Sequence, residues 1–316
     1  MNEMNLIIDR DLSLLFNDVY SRLNLPKPPN DDQLIIDLVE WILRIPDRRP
    51  RVVHRSSKLN SKILTPYELQ GVRQITETLQ TGRDLRPFLG NTTSSIRNRA
   101  KSQNDFFFSD WGLLHFHLGL HLTPNQKAGR TRRTLYALIK PNEAYLIDVR
   151  PHAKDQFGQI EVLEILVKNW PELLENHKLS SILPTPKVSQ FTPNEIVNLR
   201  TKGVNQAITI NNEVYMGPGG GIVSDTSSFK AVRLSDEIRS ELSYLAKAFY
   251  ETGYIAKVNL FVDKDASIGF FDSIKNIAYI VCPARTSSLK VTWFFERLID
   301  EVGIFKGAPE GAMWCL

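Results

Sequence analysis

The segment from Leu113 to Leu122 alternates in a way that suits a β-strand and little else. Side chains along a strand point to opposite faces with a period of two. Leu114, Phe116, Leu118, Leu120 and Leu122 therefore share one face, and His115, His117, Gly119 and His121 share the other. The leucine face has to be buried, so this strand implies a sheet with a helix packed on one side.

Two apolar runs follow, Leu135 to Ile139 and Glu143 to Val149. Lys140-Pro141-Asn142-Glu143 joins them as a tight turn with proline at its second position. The three runs together predict an antiparallel meander. A second meander is predicted over 256–262, 267–271 and 276–282, with Asp263-Lys264-Asp265 as a hairpin turn rather than a cation site. A short hairpin is expected at 207–210 and 213–216, turning at Asn211-Asn212.

Helices are expected around these strands. Leu12, Leu15, Phe16, Val19 and Leu23 keep the 3.6-residue period, as do Leu34, Ile35, Leu38 and Ile42. Thr65-Pro66-Tyr67-Glu68 is a helix start with threonine as N-cap, proline in the first turn and a capping-box glutamate, and Thr192-Pro193-Asn194-Glu195 repeats it. Further helices are predicted over 159–175, from a Ser235 cap to Glu251, and over 288–302. The tail from Gly307 is read as a segment that docks on a partner or on its own core.

With 316 residues, of which 42% are apolar, the chain is long enough for about two domains with real cores. The expected class is α+β, each domain holding a small antiparallel meander packed by helices. Residues 1–177 are read as the first domain. Residues 178–192, with Pro184 and Pro186 among serine and threonine, are read as a linker. Residues 193–316 are read as a binding, regulatory or assembly domain.

Cys282 and Cys315 are the two cysteines, too few for a disulfide framework. No run reaches the ~18 apolar residues of a membrane span, and the N-terminus lacks the basic start and apolar run of a signal peptide. A cytoplasmic protein without membrane contact is the expectation.

Spacing limits what the histidines can do. Residues i and i+2 lie about 6.6 Å apart, close enough for one phosphate or one metal ion, whereas i and i+6 lie about 20 Å apart. His115 and His117 form the working pair, and His121 cannot join His115. Their partners must come from neighbouring elements: Asp110 before the strand, and Asp148, Arg150 and His152 at the end of the third run. Three uses fit. The pair can serve as general acid and base at a ribose 2′-hydroxyl and its phosphodiester, since unperturbed histidine titrates near neutrality. It can hold a metal, given a third ligand from Asp110, Asp148 or His152. It can also be an inert polar sheet face. His121 stands where the first cupin motif has glutamate, and no second motif follows, so that family is set aside.

The surroundings are basic. Residues 111–142 contain no acid but include Lys127, Arg130, Arg132, Arg133 and Lys140. Other clusters are Arg48, Arg49, Arg51, Arg55, Lys58 and Lys62, and Arg97, Arg99 and Lys101, against a net charge of only +4. Gly217-Pro218-Gly219-Gly220-Gly221 lacks the Gly-Lys-Ser/Thr of a P-loop and is read as a turn or lid ahead of an anion cradle.

These features predict a protein acting on nucleic acid, RNA ahead of DNA. Its candidate chemistry is that of a metal-independent endoribonuclease, a hydrolase with no cofactor. His115, His117, Arg150 and His152 are the candidate catalytic residues. Arg48, Arg49, Arg51, Arg97, Arg99, Arg130, Arg132 and Arg133 are the candidate nucleic-acid contacts. The alternatives are a non-catalytic subunit that binds nucleic acid or protein, with the C-terminal domain as the protein contact, and a metal enzyme built on His-x-His.

Overall fold

The computed structural model describes residues 3–22, 30–90, 106–120, 129, 131–152, 158–184, 191–251, 258–282, 289–302 and 313–315. Its contacts divide the chain into two compact units. One is Leu43–Lys230, and the other combines Met1–Ile42 with Ala231–Leu316.

The first unit is built on a four-stranded sheet. Strands β2 (Leu113–His117), β3 (Arg133–Ile139) and β4 (Glu143–Pro151) form the antiparallel meander expected from their patterning. The fourth strand, β1 (Val52–Arg55), pairs parallel to β4, giving the order β1-β4-β3-β2. From sequence, Pro50 and Ser56-Ser57 make this basic stretch extended or loop-like, and residues 52–55 are extended. Arg51 explains the strand. It is buried, and its guanidinium donates to Lys140 O at 2.8 Å and to Asp47 O and Arg49 O at 2.9 Å, besides pairing with the Asp47 carboxylate. Those bonds staple the chain ahead of Val52 to the β3–β4 turn.

Each face of the sheet is covered. Leu114, Phe116, Leu118, Leu135, Ala137, Leu146 and Val149 pack with Val72, Ile75 and Leu79 of helix α4 (Pro66–Thr81). Thr65 and Glu68 close the expected capping box on α4, and Gly82 ends it in the left-handed region at φ 68°. On the opposite face Leu113, Tyr136, Leu138, Tyr145 and Ile147 pack with Val162, Leu163 and Leu166 of α6 (Ile160–Asn169). That helix stops six residues short of the expected Glu175, because Pro171 disfavours a helical conformation at Trp170.

Between β3 and β4 the register shifts at Tyr136/Ala137. Tyr136 pairs with Asp148 and Ala137 with Leu146, which leaves Ile147 as an extra residue. Such a bulge switches the parity of the faces. Tyr145 and Ile147 lie on the α6 side, and Asp148, Arg150 and His152 continue on that same side.

Of residues 178–192, expected as a linker, the described ones, 178–184 and 191–192, belong to this unit. Leu179 N donates to Val214 O at 2.8 Å, and Lys178 bridges Tyr215. Helix α7 (Pro193–Thr201) and the hairpin β5 (Ile208–Ile210) and β6 (Glu213–Tyr215) contribute Ile196, Val197, Ile208, Ile210 and Tyr215 to the α6-side core.

The second unit contains strands β7 (Val258–Val262), β8 (Ile268–Asp272) and β9 (Ile277–Cys282) as an antiparallel meander. The tail adds β10 (Met313–Cys315) parallel to β9, with Trp314 opposite Ala278. Helices α1 (Glu3–Arg22), α2 (Asp31–Arg44), α8 (Phe229–Glu251) and α9 (Lys290–Val302) supply buried Phe16, Leu38, Leu242 and Phe294. Helix α8 starts earlier than its expected Ser235 cap, and the Ser235 hydroxyl donates instead to Ala231 O within the helix at 2.7 Å. Asp263 and Asp265 accept backbone N–H groups of the β7–β8 turn, as a hairpin reading requires. No helix among the described residues is long and apolar enough to cross a membrane.

Candidate functional site

Strands β2 and β4 are separated by β3, so their backbones lie about 9.6 Å apart, two strand spacings. Two imidazoles can span that distance only over a small residue in the middle strand. Thr134 is that residue, paired with His117 on one side and Arg150 on the other. The His117 and His152 rings approach to 5.4 Å between centroids, tilted by 24°. His115 lies 6.0 Å from His117 and 5.8 Å from His152. One ring nitrogen from each of the three lies within 4.8 Å of the others, and among the described residues no other group of histidine, cysteine or acid forms such a cluster.

The three differ in access. His115 and His117 are buried, whereas His152 is exposed just beyond the end of β4. Its backbone N–H donates to Arg132 O at 2.8 Å, which fixes it across from β3. Tyr136 flanks the His115 ring at 6.4 Å. Thr134 is fully buried, and its hydroxyl has no hydrogen-bond partner among the described residues. A buried hydroxyl in that position calls for a polar partner from a ligand or water.

Arg150 shares this face. Its Nε donates to Gln159 at 2.8 Å, and its terminal nitrogens lie 3.7 Å from Asp148 and Glu161 oxygens. That is beyond hydrogen-bond distance, so those donors can still turn to an anion. The four candidate catalytic residues His115, His117, Arg150 and His152 are thus brought onto one face at one end of the sheet.

The two candidate carboxylates serve other ends. Asp148 is buried, pairs with Lys62 Nζ at 2.6 Å and accepts from Val149 N at 2.8 Å. Asp110, at the end of helix α5 (Phe106–Trp111), is buried against the guanidinium of Arg200 from α7. Burial pushes the Asp110 carboxyl above its ordinary value, more than Arg200 draws it down. The glycine-rich segment closes over this pair. Gly219 N donates to Asp110 O at 2.8 Å and Gly221 N to Ser109 O at 3.2 Å, and a Cβ at Gly217 or Gly219 would clash with that backbone. The glycines permit close packing over the start of the histidine strand, and two of their N–H groups are engaged there rather than facing an anion.

The predicted nucleic-acid contacts scatter. Arg48 pairs with Asp84 at 3.4 Å, and Arg49 pairs with Asp47. Arg51 is the buried staple described above. Arg133 pairs with Glu68 at 3.0 Å and donates to Val149 O at 3.2 Å. Arg132 is exposed beside His152. Arg97, Arg99, Arg130 and His121 lie outside the described residues. Gly119 does admit a close approach, by the backbone of Gly129. Sequence reading missed Thr134 as a site residue and Arg200 as the anchor of Asp110. The strand alternation of Arg132, Thr134 and Tyr136 was the available signal for the first.

No protein-family model matches the chain, and no curated protein or solved structure shows significant similarity to it.

Proposed function

We propose that this face is the active site of a metal-independent ribonuclease. The reading rests on one observation. Two imidazoles from β2 and one from just beyond the end of β4 converge beside an arginine, with no carboxylate in the cluster among the described residues. Nitrogens within 4.8 Å of one another can each reach a different oxygen of a single phosphate group at about 2.6–3.2 Å. One histidine removes the 2′-hydroxyl proton, O2′ attacks phosphorus, the P–O5′ bond breaks, and a second histidine protonates O5′. His117 and His152 are the nearest pair and take these roles, His152 being the one open to exchange protons with water. His115 and the Thr134 hydroxyl orient the phosphate, and Arg150 offsets the charge that builds on its free oxygens.

The test is cleavage of a mixed-sequence RNA by the purified chain in excess EDTA. Wild type cleaves, and His152→Ala and His117→Ala each lower the rate by about 100-fold or more. His152 is exposed, so its alanine variant keeps the wild-type unfolding midpoint. Absence of cleavage by wild type, or undiminished cleavage by His152→Ala, overturns the reading. Activity that vanishes in EDTA and returns with added metal favours a metal-dependent enzyme, the second reading that the same convergence supports.

A further inference from the structure

We infer that the histidine cluster is also a zinc site, and that zinc bound there shuts the site off. The binding half stands on geometry alone, and the inhibitory half rests on the acid–base reading above. Zinc takes imidazole nitrogen at about 2.0–2.1 Å in tetrahedral geometry, which sets nitrogens of one site roughly 3.4 Å apart. Here the three nitrogens already lie within 4.8 Å of one another. Even the widest pair closes to the zinc separation if each atom moves inward by roughly 0.7 Å, a small rotation of each side chain.

The surroundings tolerate a dication. Lys62 and Arg150 on this face are each linked as ion pairs to Asp148, and Arg150 also to Glu161, so these two carboxylates offset part of the positive charge near the site. Three neutral imidazoles leave the fourth tetrahedral position for water. That is the ligand count of an open site rather than a closed structural one. His152 is exposed, so the ion has a path in, while His115 and His117 are held by the sheet beneath it. The Thr134 hydroxyl, without a hydrogen-bond partner among the described residues, sits on β3 between β2 and β4 and can hydrogen-bond the water on the ion. Inhibition follows from competition for the same atoms. A nitrogen lone pair bound to zinc can neither take a proton from a hydroxyl nor deliver one to a leaving oxygen.

Calorimetric titration of the metal-free full chain with zinc chloride tests the binding half, and the visible absorption of the cobalt(II) form reports the geometry. One zinc per chain and the bands of tetrahedral cobalt are expected. Altering the partners of ligands costs 10- to 100-fold in metal affinity, so removing a ligand in His152→Ala or His117→Ala should weaken binding by more than about 100-fold. His54→Ala, remote in the sheet register and paired with Glu143, should bind as wild type does. In the RNA assay one equivalent of zinc should lower cleavage at least about 10-fold, with full recovery on adding chelator. No zinc binding by wild type, or binding that His152→Ala leaves intact, overturns the zinc site and leaves the ribonuclease reading standing. Zinc that binds through the three histidines and raises cleavage overturns both the inhibition and the metal-independent reading.

Discussion

Arg200→Met is the substitution whose effect follows most directly from the structure. Arg200 and Asp110 are both buried, and their ion pair ties α7 to the end of α5, two residues ahead of Gly112 and the histidine strand. Removing one partner of a buried pair leaves the other charge unmatched, at a cost of about 3–5 kcal/mol near neutral pH. The methionine keeps most of the buried aliphatic length, so lost packing is a minor part. The cost depends on pH, and its sign is fixed. Burial already holds the Asp110 carboxyl above its ordinary 3.8, with Arg200 the main opposing influence. A carboxyl raised on folding binds its proton more tightly in the folded chain. Its contribution to stability is full below the unfolded value and is lost as pH rises through the folded one. Without Arg200 the folded value climbs further, so the variant's deficit relative to wild type widens with pH. Each added pKa unit corresponds to about 1.4 kcal/mol. Urea unfolding followed by tryptophan fluorescence, at about pH 5 and about pH 8, should show the larger deficit at the higher pH. Adding Asp110→Asn should recover most of it by removing the stranded charge. An equal deficit at both pH values, or a double variant no more stable than Arg200→Met alone, would refute the reasoning.

Thr134→Val tests whether the buried hydroxyl serves a ligand. Because that hydroxyl has no partner among the described residues, the valine variant should match or exceed wild-type stability by up to ~1–2 kcal/mol, while RNA cleavage falls about 10-fold. A variant destabilised by more than ~1 kcal/mol in urea would mean the hydroxyl supports the fold instead. Gly119→Ala places a methyl group against the Gly129 backbone and should cost about 1–3 kcal/mol by overpacking, read as a lower melting temperature. A variant melting with wild type would show that this approach is not tight.

Features carried by local chemistry were legible in the sequence. The alternation of Leu114 to Leu118 against His115 and His117 placed the strand and both of its faces, and Pro141 placed the turn after β3. Thr65 and Thr192 each announced a helix, and both close a full capping box. Features that depend on distant partners were not legible. Nothing in Val52-Val53-His54-Arg55 says that it pairs parallel to β4, because a parallel edge strand lacks a hairpin turn to announce it. Arg51 counted as one more surface cation, yet it is buried by carbonyls contributed as far along the chain as Lys140. A basic run records charge and not where each guanidinium points, and the same holds for Arg133, turned to Glu68.

The third histidine depended on the least visible feature of all. On an unbroken strand, Tyr145, Ile147 and Val149 would share a face, with Leu146, Asp148, Arg150 and His152 on the other. The core contradicts that pattern, since Tyr145 and Ile147 pack against α6 while Leu146 and Val149 pack together against α4. One extra residue at Ile147 reconciles them. It lets β4 bury an aromatic and an aliphatic side chain against α6 in its first half, then present Asp148, Arg150 and His152 on the same side in its second. Bulges recur where a strand must re-aim its side chains. Without this one, Arg150 and His152 would face the apolar α4 layer, and His115 and His117 would remain a pair. The convergence of three imidazoles is therefore a property of one inserted residue in β4, whose signature in the sequence is the run Leu146-Ile147 followed by Asp148, with no alternation to betray it.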